Sequence, residues 1–78
     1  MRYGVSTKLS PEKVIEKAVE FFEKLGLKVT IRDDKMVCLE GGGGQVTITA
    51  CSNDETDVDI VTSEWDYQVK QFMQRIAS

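Results

Sequence analysis

The chain has no histidine, one proline and two cysteines, and each scarcity closes off a class of chemistry. Without histidine, the usual zinc and haem ligand sets have too few members. General-base work would fall to a carboxylate or a lysine. Cys38 and Cys51 form no Cys-x-x-Cys pair, so a thiol redox motif and a metal knuckle are both missing. No cofactor and no metal are expected. No apolar run comes near the ~20 residues of a membrane helix, and no apolar stretch follows Met1–Gly4 as a secretory leader would require. A cytoplasmic protein with free thiols and no membrane partner is the expectation. There is also no excess of positive charge: the formal net charge is −3. A duplex nucleic acid needs a concentrated basic face, so no nucleic-acid partner is expected.

What the chain does have is a regular series of turns. Gly26, Asp33–Lys35, Gly41–Gly44 and Asn53–Glu55 cut the stretch from Leu27 to Thr62 into four short runs. Leu27, Val29 and Ile31 alternate with polar residues, as do Val46, Ile48 and Ala50, and then Val58, Ile60 and Thr62. Period-two alternation marks half-buried strands. The loop lengths place Arg32 opposite Met36, Leu39 opposite Val46, and Ala50 opposite Val58. Apolar side chains of neighbouring runs then meet on one face, which is what fixes a register. Residues 2–8 read as a further strand, with Gly4 suiting an edge position.

Two amphipathic helices flank the strands. Ser10 can accept from free amides as N-cap and Pro11 fits the first helical position. Val14, Ile15, Ala18, Val19, Phe22 and Leu25 then recur at helical spacing, with Phe21 at the rim of the stripe and Gly26 as a left-handed cap. Ser63–Asp66 resembles a capping box, followed by the stripe Trp65, Val69, Phe72, Met73 and Ile76. The 78 residues thus predict a single α+β domain over 1–78. Its order is β-α-β-β-β-β-α, an antiparallel twisted sheet with both helices on one face. A chain of this size buries only roughly 60% of its unfolded surface.

Few residues invite a chemical reading. The four glycines Gly41–Gly44 feed a strand and no Gly-Lys-Ser/Thr follows, so a hairpin turn fits better than a phosphate loop. Cys38 and Cys51 share a face but lie too far apart along the ladder for a disulfide. Asp54, Glu55, Asp57 and Asp59 lack the glycine-punctuated spacing of a calcium loop and read as a solvated edge that discourages aggregation. Trp65 reads as the anchor of the last helix, Asp66 as its cap, and Tyr67 as off the stripe.

The strand-helix-four-strand-helix order resembles the fold group of the TATA-box-binding protein repeat. Helix-grip proteins of START and polyketide-cyclase type look like enlarged members of the same plan. Arg2-Tyr3-Gly4-Val5-Ser6-Thr7 followed by Ser10-Pro11-Glu12-Lys13-Val14, and the closing helix from Trp65 to Ile76, are similar to helix-grip chains. The glycine hairpin with the Glu64–Lys70 string resembles small prokaryotic proteins. The resemblance implies a fold, and from the helix-grip side a small apolar ligand.

Two functional expectations follow. The first is a small non-enzymatic binding or interaction module. It would join a protein partner or form a homodimer through the outer sheet face, with Met36, Cys38, Thr47 and Val61 near its centre. The second is a miniature helix-grip protein with a small apolar ligand between helices and sheet. There, a flap at Gly42 and Gly43 would close over Trp65, Tyr67 and Phe72. An enzyme would have only Glu40 or Glu64 to work with.

Overall fold

The computed structural model describes residues 1–77. Along them run β1 (Arg2–Thr7), α1 (Pro11–Glu23), β2 (Lys28–Arg32), β3 (Met36–Gly41), β4 (Gly44–Ser52), β5 (Thr56–Ser63) and α2 (Asp66–Ile76). The strands form one five-stranded antiparallel sheet in the order β1-β5-β4-β3-β2. Three hairpins lay β2 to β5 side by side, and β1 returns to the free edge of β5. The fold is α+β.

Turn chemistry fixes most of the register. Gly42 (φ 58°) and Gly43 (φ 82°) both take left-handed backbone, the two-residue turn whose twist matches that of the strands. It pairs Glu40 with Gln45, Leu39 with Val46 and Val37 with Ile48. The Asn53–Glu55 loop likewise sets Ala50 opposite Val58 and Ile48 opposite Ile60. Leu39–Val46 and Ala50–Val58 are the pairs the loop lengths predict, and the others follow from the same register.

The β2–β3 hairpin departs from expectation by one residue. Arg32 faces Val37 rather than Met36, and Ile31 faces Cys38 rather than Val37. The Asp33 carboxylate accepts from the amides of Lys35 (2.8 Å) and Met36 (2.9 Å). The Asp33 amide donates to the Met36 carbonyl at 2.8 Å. Met36 is thereby drawn into the turn. A bulge between Val29 and Ile31 then restores the pairing of Val29 with Leu39. A one-residue slip reverses the side a residue faces, so Ile31 leaves the core side and is 55% exposed.

Both helices cover the same side of the sheet. Val14, Ile15, Ala18 and Phe22 of α1, and Val69, Phe72 and Ile76 of α2, are buried in one cluster with Val37, Leu39, Val46, Ile48, Ala50, Val58 and Ile60. The rings of Phe22 and Phe72 meet between the helices at 5.7 Å, and Phe21 packs edge-on to Phe22 at 5.0 Å. Full burial of such a side chain is worth about 1.5–3 kcal/mol, so these rings hold much of a small core together.

The helix ends bring two corrections. Ser10 caps α1 by accepting from the Lys13 amide, as expected. At the other end the Leu27 amide reaches back to the Phe22 carbonyl and the Gly26 amide to that of Glu23, with Gly26 at φ 97°. This reversal lifts Leu25 off the stripe to 42% exposure and buries Leu27 instead. The capping box at Ser63–Asp66 does not form. Ser63 still belongs to β5, Glu64 turns the chain at φ 74°, and Trp65 takes the N-cap position without a side-chain cap bond. Ser63 stays paired in β5 and the helix starts two residues later than a Ser63 cap requires, so the N-cap position falls to Trp65. Asp66 is not a cap: its carboxylate accepts from the Tyr3 hydroxyl at 2.6 Å and ties β1 to α2. Among the described residues, no helix is long and apolar enough to cross a membrane.

Candidate functional site

The glycine hairpin and Trp65 form one structural unit. The indole Nε1–H donates to the Gly41 carbonyl at 2.8 Å. A Cβ on Gly42 would stand 2.9 Å from Trp65 Cζ2, and one on Gly44 would overlap the Ser63 carbonyl. The glycines are therefore required by close approach as well as by turn geometry. The five residues expected to line a ligand are not brought to one place. Gly42 touches Trp65, Tyr67 is 69% exposed, and Phe72 is 1% exposed in the core. Gly43 borders a shallow hollow with Gln45 and Ser63, away from Phe72.

The four residues expected on the outer sheet face do come together. Cys38 pairs with Thr47 and Thr47 with Val61, so three of them form one row across adjacent strands. Met36, opposite Thr49, lies one step along β3. The β2 bulge adds Ile31 beside Cys38, and Arg2 ends the row beside Val61. Val61 is 43% exposed, while Met36, Cys38 and Thr47 are half-buried by their strand neighbours. The Thr47 hydroxyl donates to Cys38 Sγ at 3.6 Å. Neither cysteine is in a disulfide.

The acidic residues beside this row have partners on β1. Arg2 Nε donates to Asp59 at 2.9 Å and Ser6 donates to Asp57 at 3.1 Å. Hydrogen bonding to Asp59 and then its charge raise the Arg2 pKa. The Tyr3 phenol is raised chiefly by its bond to Asp66. Among the described residues no group of three or more metal-ligating side chains converges. Glu40 and Glu64 are both exposed.

A third feature lies on the opposite side of the molecule. Side chains from the C-terminal halves of α1 and α2 and the turn after α1 line a cleft of about 480 Å³. Its apolar wall is Phe21, Leu25, Phe72 and Ile76, and its rim carries Lys17, Lys24, Arg75 and Glu20. The Arg75 guanidinium lies 5.1 Å over the Phe21 ring, within cation–π range. Sequence reasoning did not single out this cleft or Ile31. The cleft had a faint signal: Lys17, Phe21, Lys24 and Leu25 share the flank of α1 beside its core stripe. The Ile31 placement had none, because simple alternation points it inward.

No protein-family model matches the chain, and no curated protein is significantly similar to it.

Proposed function

We propose that this protein is a small non-enzymatic interaction module of the cytosol that self-associates through its outer sheet face. The observation that carries the reading is the row Ile31–Cys38–Thr47–Val61, which crosses four adjacent strands on the side that neither helix covers. Isolated apolar residues on a surface are ordinary, whereas a contiguous row marks a contact surface. The face is about 19 Å wide across five strands and about 20 Å long. Its flat footprint, about 380 Å² per copy, falls below the range of stable interfaces and in that of weak, transient ones, so the expected dimer is weak and depends on concentration. A second copy is the fitting occupant because the row is uncharged along its middle. The flanking Asp59 is already paired with Arg2. Sedimentation equilibrium tests the reading: wild type should show a reversible dimer, and Val61→Lys should abolish it. A dimer unaffected by Val61→Lys would overturn the outer-face interface.

A second reading, a small apolar ligand, draws support from the cleft between the helices. Its volume falls in the range of small-molecule sites. The layer between helices and sheet is occupied by Phe22 and Phe72 themselves, so the cleft is where such a ligand has room. The element order β-α-β-β-β-β-α supports the resemblance to the TATA-box-binding and helix-grip fold group, on which this reading draws.

A further inference from the structure

We infer that the cleft between the ends of α1 and α2 takes an anionic amphiphile, a carboxylate on a medium-length alkyl chain. The inference rests on the ligand-binding reading and is independent of the outer sheet face. Three observations carry it.

The first is the sign of the rim. Lys17, Lys24 and Arg75 surround the opening with Glu20 as the single carboxylate, on a chain whose net charge is −3. The ion pairs Arg2–Asp59 and Lys13–Glu16 lie elsewhere. Lys17, Lys24 and Arg75 belong to neither pair, and the one carboxylate of Glu20 offsets one of the three charges. The helices both end here, and each C-terminus contributes about half a negative charge. The rim remains positive after that contribution.

The second is the wall. Leu25 stands 42% exposed because the Gly26 reversal turns it out of the core. Phe21 is half-buried beside it. These two side chains supply the exposed apolar surface of the cleft, and the nearly buried Phe72 and Ile76 close its floor.

The third is length, which chooses between occupants. Lys17 to Glu23 spans about 9 Å of helix, and Lys24 and Leu25 follow in the reversal. A docked peptide helix needs anchors over about two to three turns on a groove long enough to hold them. Here α2 supplies only its last turn, through Phe72, Arg75 and Ile76. A short flexible chain fits that span better than a peptide helix.

The test is a two-dimensional amide NMR titration of the full chain with decanoate, below its micelle concentration. Decanol and decyltrimethylammonium serve as neutral and cationic probes. Saturable shifts at Phe21, Leu25, Phe72 and Ile76 are expected, with decanoate tightest. Lys17→Gln/Lys24→Gln, a pair of exposed substitutions that leave the core untouched, should weaken decanoate at least tenfold and leave decanol unchanged. Equal binding of decanoate and decanol at the cleft would overturn the anion preference while sparing the ligand reading. Absence of saturable binding by any probe, or shifts elsewhere in the molecule, would overturn both. A preference for an acidic helical peptide over decanoate at the cleft would also overturn the inference.

Discussion

A Cβ at Gly44 would strike the Ser63 carbonyl, and one at Gly42 would press on the Trp65 ring, whereas Gly43 has open space around it. The three alanine substitutions should therefore rank by what they meet. Gly43→Ala carries only the left-handed backbone penalty, about 1–2 kcal/mol. Gly42→Ala adds displacement of an indole that is hydrogen-bonded in place. Gly44→Ala forces apart the β4 and β5 backbones, the kind of overpacking that costs about 1–3 kcal/mol or more. Urea denaturation of the three variants reads the order directly, and equal losses would contradict it. Tyr3 offers a pH-dependent counterpart. Its phenol pKa is raised in the folded state because the proton is held by Asp66. A raised pKa stabilises the fold fully below the unfolded value, near 10, and the contribution is lost as pH rises through the folded value. Wild type should thus exceed Tyr3→Phe in stability at about pH 8, and the gap should narrow at about pH 11.

At the scale of elements, the β2–β3 hairpin is where the sharpest test lies. With the bulge, Ile31 faces the outer side, so Ile31→Ala should change the stability of dilute protein by no more than about 0.5 kcal/mol. Were Ile31 in the core, as plain alternation has it, the same change would cost about 2–5 kcal/mol. Equilibrium unfolding separates the two. The contrast also shows what a sequence of this kind carries. Strands, helices, the three hairpins and the inward faces of β4 and β5 were legible because alternation and turn glycines are local. The edge position of β1 was legible through Gly4. The turn at Asp33 was not, because an aspartate that bonds two following amides adds a turn residue without changing composition. The failed cap at Ser63 had a similar cause: the distance from β5 to α2 depends on how both elements sit on the sheet. The candidate site divides the same way. Met36, Cys38, Thr47 and Val61 follow from register alone and fall on one face. Gly42, Trp65, Tyr67 and Phe72 depended on tertiary placement, and they separate into a turn support, an exposed ring and a core ring.

The whole molecule is a two-layer plate, with extents of 35 × 22 × 18 Å, whose helices cover one side of the sheet and leave the other bare. That asymmetry is what the proposed interface explains. In a face-to-face dimer Cys38 sits in the middle of the covered row, while Cys51, on the same outer face, lies about 13 Å along β4 from Thr47, at the rim of the contact opposite Asp57. The most direct measurement is therefore the alkylation rate of Cys38 followed by mass spectrometry over a range of protein concentrations, with Cys51 as the internal reference. Association through the outer face should slow Cys38 relative to Cys51 as concentration rises, and Val61→Lys should remove the slowing. A Cys38 rate that stays constant relative to Cys51 across the concentrations at which the protein dimerises would contradict the interface.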